Sequence, residues 1–142
     1  MKILVDTNII LDVLLQRTNF YADSRAIFEL TEQRRITGCI SASGITDIFY
    51  LVQKEIKNTG TVYEAMDSLA AIFRIAPVYE TAITSALSLR WKDFEDAVQY
   101  MTAVENGVDY IITRNKSDYE NFTIPCYSPA EFLLFLKATE DR

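Results

Sequence analysis

Histidine is absent from the 142-residue chain. This absence excludes catalytic triads that use histidine as the base, other acid–base catalysis by imidazole, and zinc sites with histidine ligands. Any chemistry must therefore depend on carboxylates, hydroxyls, lysines or a bound metal ion. Cysteine is scarce: Cys39 and Cys126 each stand in or at the end of a short strand-like run, which favours reduced, buried thiols over a disulfide or a metal site.

Long apolar runs are absent as well, because polar residues interrupt most apolar stretches within a few positions. No segment is therefore predicted to span a bilayer. Met1-Lys2 leads directly into a strand-like run, which leaves no room for a signal peptide. We expect a cytoplasmic protein with no membrane partner.

Positive charge is in deficit, since 14 Lys and Arg stand against 20 Asp and Glu, a net charge of −6. This balance argues against strong non-specific binding of nucleic acid, which usually requires a basic face. It does not exclude a small site whose carboxylates are neutralised by a metal ion.

Short apolar runs alternate with stretches of helical periodicity along the whole chain. With 49% apolar residues in the length of one ordinary domain, the chain can bury a core without covalent staples. Strands that alternate with helices form right-handed βαβ units and a parallel sheet covered on both faces. We therefore predict one domain over residues 1–142, a three-layer α/β/α fold around a central parallel sheet of about five strands. The predicted strands cover residues 3–5, 36–41, 73–78, 109–113 and 123–127.

The first predicted strand ends at Asp6, where a helix follows at once. Open α/β sheets bind their ligands at the carboxyl ends of the strands, which makes Asp6 a candidate ligand residue. Thr7 or Asn8 is predicted to cap the helix, with Asn8 also supporting Asp6, although Asp6 itself is a common type of cap. Asp12, within the helix, is predicted to be a solvated acid.

Four acids occupy comparable places relative to the predicted strands and helices: Asp6, Asp47, Asp96 and Asp118. The carboxyl ends of parallel strands meet at one edge, and Asp96 joins the others there only if its helix starts at that edge. Crowded carboxylates resist ionisation unless a cation lies among them, and ligation by oxygen alone suits Mg²⁺ or Mn²⁺.

Each acid also has a local explanation. Asp93 is favoured as the N-cap of the helix that carries Asp96, and Asp96 itself suits the first helical turn, where acids interact well with the helix dipole. Asp118 suits a turn. Asp47 is harder to explain locally, because it interrupts an apolar helix face.

The sequence resembles the PIN-domain ribonucleases, a family of small α/β domains that includes the VapC-type toxins of toxin–antitoxin pairs. The resemblance covers nearly the whole chain and is carried by the motifs at residues 3–12, 40–47, 93–99 and 111–119. It implies that Asp6, Asp47, Asp96 and Asp118 bind the metal. It makes Asp93 and Thr113 supporting residues, and it places Asn115 at a loop position where some relatives carry an acid. The second acid is commonly Glu in this family, so the shorter Asp47 is predicted to reach the metal through a water.

The resemblance also implies an activity and partners. The expected activity is that of an endoribonuclease dependent on Mg²⁺ or Mn²⁺, in which a metal-activated water hydrolyses RNA and leaves 3′-hydroxyl and 5′-phosphate ends. The expected partners are single-stranded or structured RNA and, for a toxin, a cognate antitoxin protein. A homodimer is expected as well, because residues 132–136 are apolar nearly all round the last helix.

Arg114 and Lys116 flank the predicted site and are candidates for binding the RNA backbone, with a solvated charged surface as the alternative. Tyr119 is predicted either to stack on a base or to pack under the loop.

Two other functions remain open. A phosphoacceptor signalling domain also gathers acids at the sheet edge, but it requires an Asp after strand three, where this chain has Pro77-Val78-Tyr79. A non-catalytic PIN module that binds RNA or protein is the second alternative. The four acids argue against it, and the acidic surface favours it.

Overall fold

In the computed structural model, which describes residues 1–119 and 123–141, a five-stranded parallel sheet lies at the centre of the molecule. Its strands are β1 (Lys2–Val5), β2 (Thr37–Ser41), β3 (Arg74–Ala76), β4 (Tyr110–Ile112) and β5 (Cys126–Tyr127). The α-helices within the described residues are α1 (Thr7–Leu14), α2 (Tyr21–Glu32), α3 (Ala42–Ile56), α4 (Thr59–Ile72), α5 (Glu80–Leu89), α6 (Phe94–Glu105) and α7 (Pro129–Glu140). A short 3₁₀ helix, Lys116–Asp118, follows β4, and the side chain of Asp118 lies outside the described part of the structure.

The strands lie in the order β3-β2-β1-β4-β5, and every pair is parallel. This arrangement confirms the predicted fold. The central strand, β1, has β2 and β4 as neighbours, and Ile3 is in register with Gly38 on one side and Tyr110 on the other. The carboxyl ends of the three central strands therefore meet at one edge of the sheet.

Alternate residues of the central strands enter two separate cores. Ile3 and Val5 of β1 face the core covered by α1 to α4 and α7, whereas Leu4 faces the core covered by α6. All three side chains are fully buried, and each such burial stabilises the fold by about 1.5–3 kcal/mol. Short apolar strands with polar ends are thus the expected sequence pattern for this three-layer fold.

Local signals in the sequence account for several details of the fold. The helix α7 opens with a capping box, in which Ser128 Oγ accepts from the Glu131 amide at 3.2 Å and Glu131 Oε1 accepts from the Ser128 amide at 3.0 Å. Gly107, just after α6, has φ +64°. Cys39 and Cys126 are free and buried, and burial raises the pKa of the Cys126 thiol to about 11. None of the described helices is long and apolar enough to cross a membrane.

A close approach between β2 and its covering helices depends on Gly38. A methyl group at this position would lie 2.7 Å from Phe73 Cδ1 and 2.8 Å from Thr31 Cγ2. We therefore expect Gly38→Ala to lower the free energy of unfolding by about 1–3 kcal/mol, as overpacking does elsewhere. Urea denaturation measures the change. The matched control is Gly60→Ala in α4, where the new methyl meets only Asn58 Oδ1 at 3.5 Å, and no loss of stability is expected there.

Candidate active site

An acidic cavity of about 440 Å³ opens at the carboxyl edge of the sheet. Five carboxylates line it: those of Asp6, Asp47, Asp93, Glu95 and Asp96. Among the described residues that line the cavity, none is basic. The structure therefore brings three of the four predicted metal ligands to one place, and the start of α6 at this edge is what places Asp96 with the others.

Asp6 is fixed by a contact from the neighbouring strand. The hydroxyl of Thr113, which follows β4, donates to Asp6 Oδ2 at 2.8 Å, and the same hydroxyl oxygen accepts from the Asn115 amide at 3.1 Å. Thr113 is fully buried. This pair of hydrogen bonds orients the carboxylate of Asp6 and holds the first residues of the β4 loop against it.

The start of α1 differs from the prediction. The helix begins at Thr7, so Asp6 occupies the N-cap position, and neither Thr7 nor Asn8 is the cap. The Asp6 side chain makes no capping hydrogen bond either, because it accepts from Thr113 instead. Asn8 lines the cavity but has no hydrogen bond to Asp6 among the described residues. The carboxylate of Asp6 is thus directed toward the sheet edge and away from its own helix.

The N-cap of α6 is Asp93, as predicted. Its Oδ1 accepts from the Asp96 amide at 3.1 Å, which satisfies one free N–H of the first turn. Asp96 stands in that first turn, and its carboxylate lies on the cavity. The two acids therefore have separable roles, since Asp93 caps the helix and Asp96 is presented by it.

Glu95 is a cavity residue that sequence reasoning did not single out. Burial, followed by a hydrogen bond with Asp47 and the negative charges of Asp47, Asp93 and Asp6, raises the pKa of Glu95 above its usual value. Its position between Asp93 and Asp96 in the first turn of α6 was the available signal.

Gln99 lines the cavity, and the buried Tyr119 lies in contact with it. Tyr119 is 1% exposed, so of its two predicted roles the packing role is correct and stacking on a base is wrong. Its hydroxyl accepts a hydrogen bond from Gln99 Nε2. Burial, followed by the charges of Asp6 and Asp96, raises the pKa of Tyr119 well above its usual value, so the hydroxyl remains protonated beside those carboxylates.

Three helix N-termini converge on the acids. Residues of the first turn of α1, α3 and α6 all line the cavity. The positive end of each helix dipole favours negative charge nearby. This field offsets part of the repulsion among the carboxylates, and it does so without placing a basic side chain in the cavity.

The donor set fits Mg²⁺ or Mn²⁺ in its chemistry, because it consists of carboxylate and amide oxygens. Within residues 1–119 and 123–141, however, no three acidic or cysteine side chains stand in an arrangement that could hold a metal ion. The side chain of Asp118, the fourth predicted ligand, lies outside those described.

Arg114 and Lys116 lie outside the acidic cavity, and each has an acidic partner. Arg114 Nη2 donates to Asp12 Oδ1 at 3.1 Å, and its Nε lies 3.0 Å from Asp12 Oδ2 without the direction of a hydrogen bond. Lys116 Nζ lies 2.8 Å from Glu131 Oε2, a contact that lowers the pKa of Glu131 to about 2 together with hydrogen bonds from Ser128. The alternative of a merely solvated surface is therefore wrong for Arg114.

Asp12 was predicted to be a solvated acid, and this prediction is wrong. Its side chain is 0% exposed and accepts from Arg114, from Arg17 Nη1 at 3.4 Å and from Ser24 Oγ at 3.3 Å. The guanidinium of Arg114 also lies 3.9 Å from the ring centroid of Phe20. This cluster ties α1 and α2 to the loop that follows β4.

Comparison with known proteins identifies the family. The family model of the PIN domain matches residues 2–117. Ribonuclease VapC1 of Aquifex aeolicus is 25% identical over 123 residues, which cover 83% of this chain and 84% of that protein. VapBC2 from Rickettsia felis, solved on a DNA fragment from its promoter, matches with a TM-score of 0.68 at 15% identity, over 90% of this chain and 98% of that chain. A toxin–antitoxin complex from Klebsiella pneumoniae matches with a TM-score of 0.66 at 21% identity, over 89% and 96%.

The two structures share the fold of this chain, and the matched family model spans the strands and helices that carry Asp6, Asp47 and Asp96. The protein belongs to the PIN domain family.

Proposed function

We propose that this PIN domain is an endoribonuclease that depends on Mg²⁺ or Mn²⁺. The observation that carries the proposal is the convergence of five carboxylates on one cavity whose described lining contains no basic residue. Such a site repels a phosphodiester until a cation compensates its charge. The relative Ribonuclease VapC1 supports RNA as the substrate.

The residues have distinct roles in this proposal. Asp6, Asp96, Asp118 and, through a water, Asp47 would hold the metal. When bound, the ion would supply Lewis-acid activation of a water molecule and would offset the charge of the scissile phosphodiester. Thr113 orients Asp6, Asp93 caps the helix that presents Asp96, and Asn8 and Asn115 offer amide groups at the rim.

The sheet order argues against a phosphoacceptor domain. The neighbours of β1 are β2 and β4, while β3 is an edge strand two positions away from β1. A residue at the end of β3 would not lie beside Asp6, and the residue after this strand is Pro77. A non-catalytic PIN module remains the alternative, and it predicts RNA or protein binding without cleavage.

Metal removal is the direct test. We expect the purified protein to cleave single-stranded RNA with Mg²⁺ or Mn²⁺, to stop in EDTA, and to recover when Mn²⁺ is added in excess. Denaturing gels of an end-labelled RNA follow the reaction, and the mapped ends should be 3′-hydroxyl and 5′-phosphate. Cleavage that continues unchanged in EDTA would contradict the metal mechanism, and RNA binding without cleavage would support the non-catalytic alternative.

We also propose a cognate antitoxin and a homodimer as partners. The antitoxin is suggested by the solved structure from Klebsiella pneumoniae, which is a toxin–antitoxin complex. The homodimer is suggested by apolar side chains at the surface. The predicted apolar helix α7 buries Phe132 but leaves Leu134 69% exposed.

A further inference from the structure

One face of α3 forms a continuous wall of the acidic cavity. Ser43, Gly44, Asp47, Tyr50 and Leu51 all line it. Residues three and four apart on a helix are neighbours, with Cβ atoms about 5–6 Å apart. Tyr50 and Leu51 therefore stand one turn beyond Asp47, where the wall changes from polar to apolar.

The ring of Tyr50 is largely uncovered in the described part of the chain. Its side chain is 64% exposed, and none of the ring contacts within the described part of the chain involves it. The adjacent Phe49 behaves differently, since it packs edge-on against Tyr63 with ring centroids 4.9 Å apart. Tyr50 is thus an aromatic surface presented to solvent at the mouth of a site for charged groups.

We infer that Tyr50, with Leu51 beside it, forms a nucleobase subsite, an assignment that rests on the proposed function. The base of a nucleotide next to the scissile phosphodiester stacks on the Tyr50 ring. The described residues that line the cavity include no basic side chain that could bind the RNA phosphates. Stacking on Tyr50 therefore provides binding affinity that basic residues provide in other nucleic-acid-binding sites. A protein partner is the less favoured ligand, because Tyr50 lies on the same helix face as Asp47.

The subsite has a consequence for the substrate. A base paired and stacked within a duplex cannot lie flat on Tyr50, whereas an unpaired base in a single strand or a loop can. Every base has a π-face, so stacking of this kind tolerates sequence. The subsite therefore requires an unpaired base at this position, with little base selectivity from Tyr50 itself.

The test compares Tyr50→Ala with Tyr50→Phe on a single-stranded RNA whose cleavage position has been mapped. We expect Tyr50→Ala to raise KM about tenfold with kcat and the metal requirement unchanged, since that is the usual size of a lost base–aromatic stack. Tyr50→Phe keeps the ring and should stay within about twofold of the wild type. Tyr79→Ala is the matched control, because Tyr79 is 51% exposed but lies outside the cavity lining.

An abasic substrate tests whether the ring contacts a base. Removing the base on one side of the cleaved bond should raise the KM of the wild type by the same factor as Tyr50→Ala does. The same abasic substrate should not raise the KM of Tyr50→Ala any further. If the loss from removing the base and the loss from Tyr50→Ala multiplied, whichever flanking base was removed, the two changes would act independently and the subsite would be overturned. Wild-type efficiency of Tyr50→Ala on the intact strand would overturn it as well.

Binding is measured separately, by fluorescence anisotropy of a labelled strand in EDTA, so that the two proposals fail differently. If the wild type binds unpaired RNA through Tyr50 but does not cleave it, the result contradicts the proposed nuclease activity and supports the subsite. A wild type that neither binds nor cuts RNA overturns both. Unchanged RNA binding and cleavage by Tyr50→Ala, with lost affinity for a cognate antitoxin, would assign Tyr50 to a protein interface and overturn the subsite.

Discussion

Asp96→Asn is expected to reduce RNA cleavage by more than about a hundredfold. Mutation of a residue that merely supports a metal ligand already lowers metal affinity or activity by about 10–100-fold, and loss of a ligand should cost more. The same substitution replaces one of the five clustered carboxyl groups by a neutral amide. We therefore expect the free energy of unfolding without metal to stay the same or to rise. If Asp96 served only the helix dipole, stability would fall by about 0.3–1 kcal/mol and cleavage would persist.

Asp93→Ala is the matched control for Asp96→Asn. Asp93 accepts the capping hydrogen bond, so its loss should cost about 1 kcal/mol of stability. The metal response separates Asp96→Asn from the wild type. A ligand that binds only the folded state raises the melting temperature, so Mg²⁺ or Mn²⁺ should stabilise the wild type and have a much smaller effect on Asp96→Asn. A variant at Asp96 that cleaves RNA but melts earlier would show that its carboxylate serves the helix alone.

The fold was predictable because its signals are local. Short apolar runs with polar ends marked the strands, and the periodicity between them marked the helices. The capping of α6 by Asp93 was predictable for the same reason, since donor and acceptor are three residues apart. The cap of α1 was predicted only in part, because Asp6, the alternative to Thr7 and Asn8, holds the N-cap position but its side chain accepts from Thr113, 107 residues away. No local pattern distinguishes a cap from a carboxylate that a distant strand orients.

The candidate site was predicted in part. The convergence of Asp6 and Asp47 followed from the parallel sheet, because successive strands end at one edge. Glu95 was missed because its importance lies in its contact with Asp47 on another helix. The exposed ring of Tyr50 was missed because an isolated tyrosine in a helix gives no sign of whether neighbours will cover it.

Asp12 is the clearest failure of sequence reasoning. Four consecutive residues of α1, from Ile9 to Asp12, are buried, so this short helix has little exposed face for an acid to occupy. The buried carboxylate of Asp12 is compensated by the positive charge of Arg114, which lies 102 residues further along the chain. The acid and its counter-charge are recognisable as a pair only once β4 lies beside β1.

Asp12→Ala is expected to lower the free energy of unfolding by about 3 kcal/mol, near the lower end for broken buried ion pairs. Stability falls because Arg114 and Arg17 would lose their counter-charge. The loss lies near the lower end because these side chains, 24% and 38% exposed, retain some contact with water. Urea denaturation measures the change. The control is Glu32→Ala at the surface pair with Arg25, 3.9 Å apart, which should cost less than about 1 kcal/mol.

A double variant separates the stability of this cluster from its effect on the site. Replacing a buried ion pair by apolar residues of similar size is often nearly neutral, so Asp12→Leu with Arg114→Leu should recover most of the lost stability. Cleavage should not recover equally, because Arg114 anchors the loop whose Thr113 orients Asp6. Full recovery of both would mean that the pair serves folding alone. A cost below about 1 kcal/mol for Asp12→Ala would mean that water replaces the carboxylate without penalty.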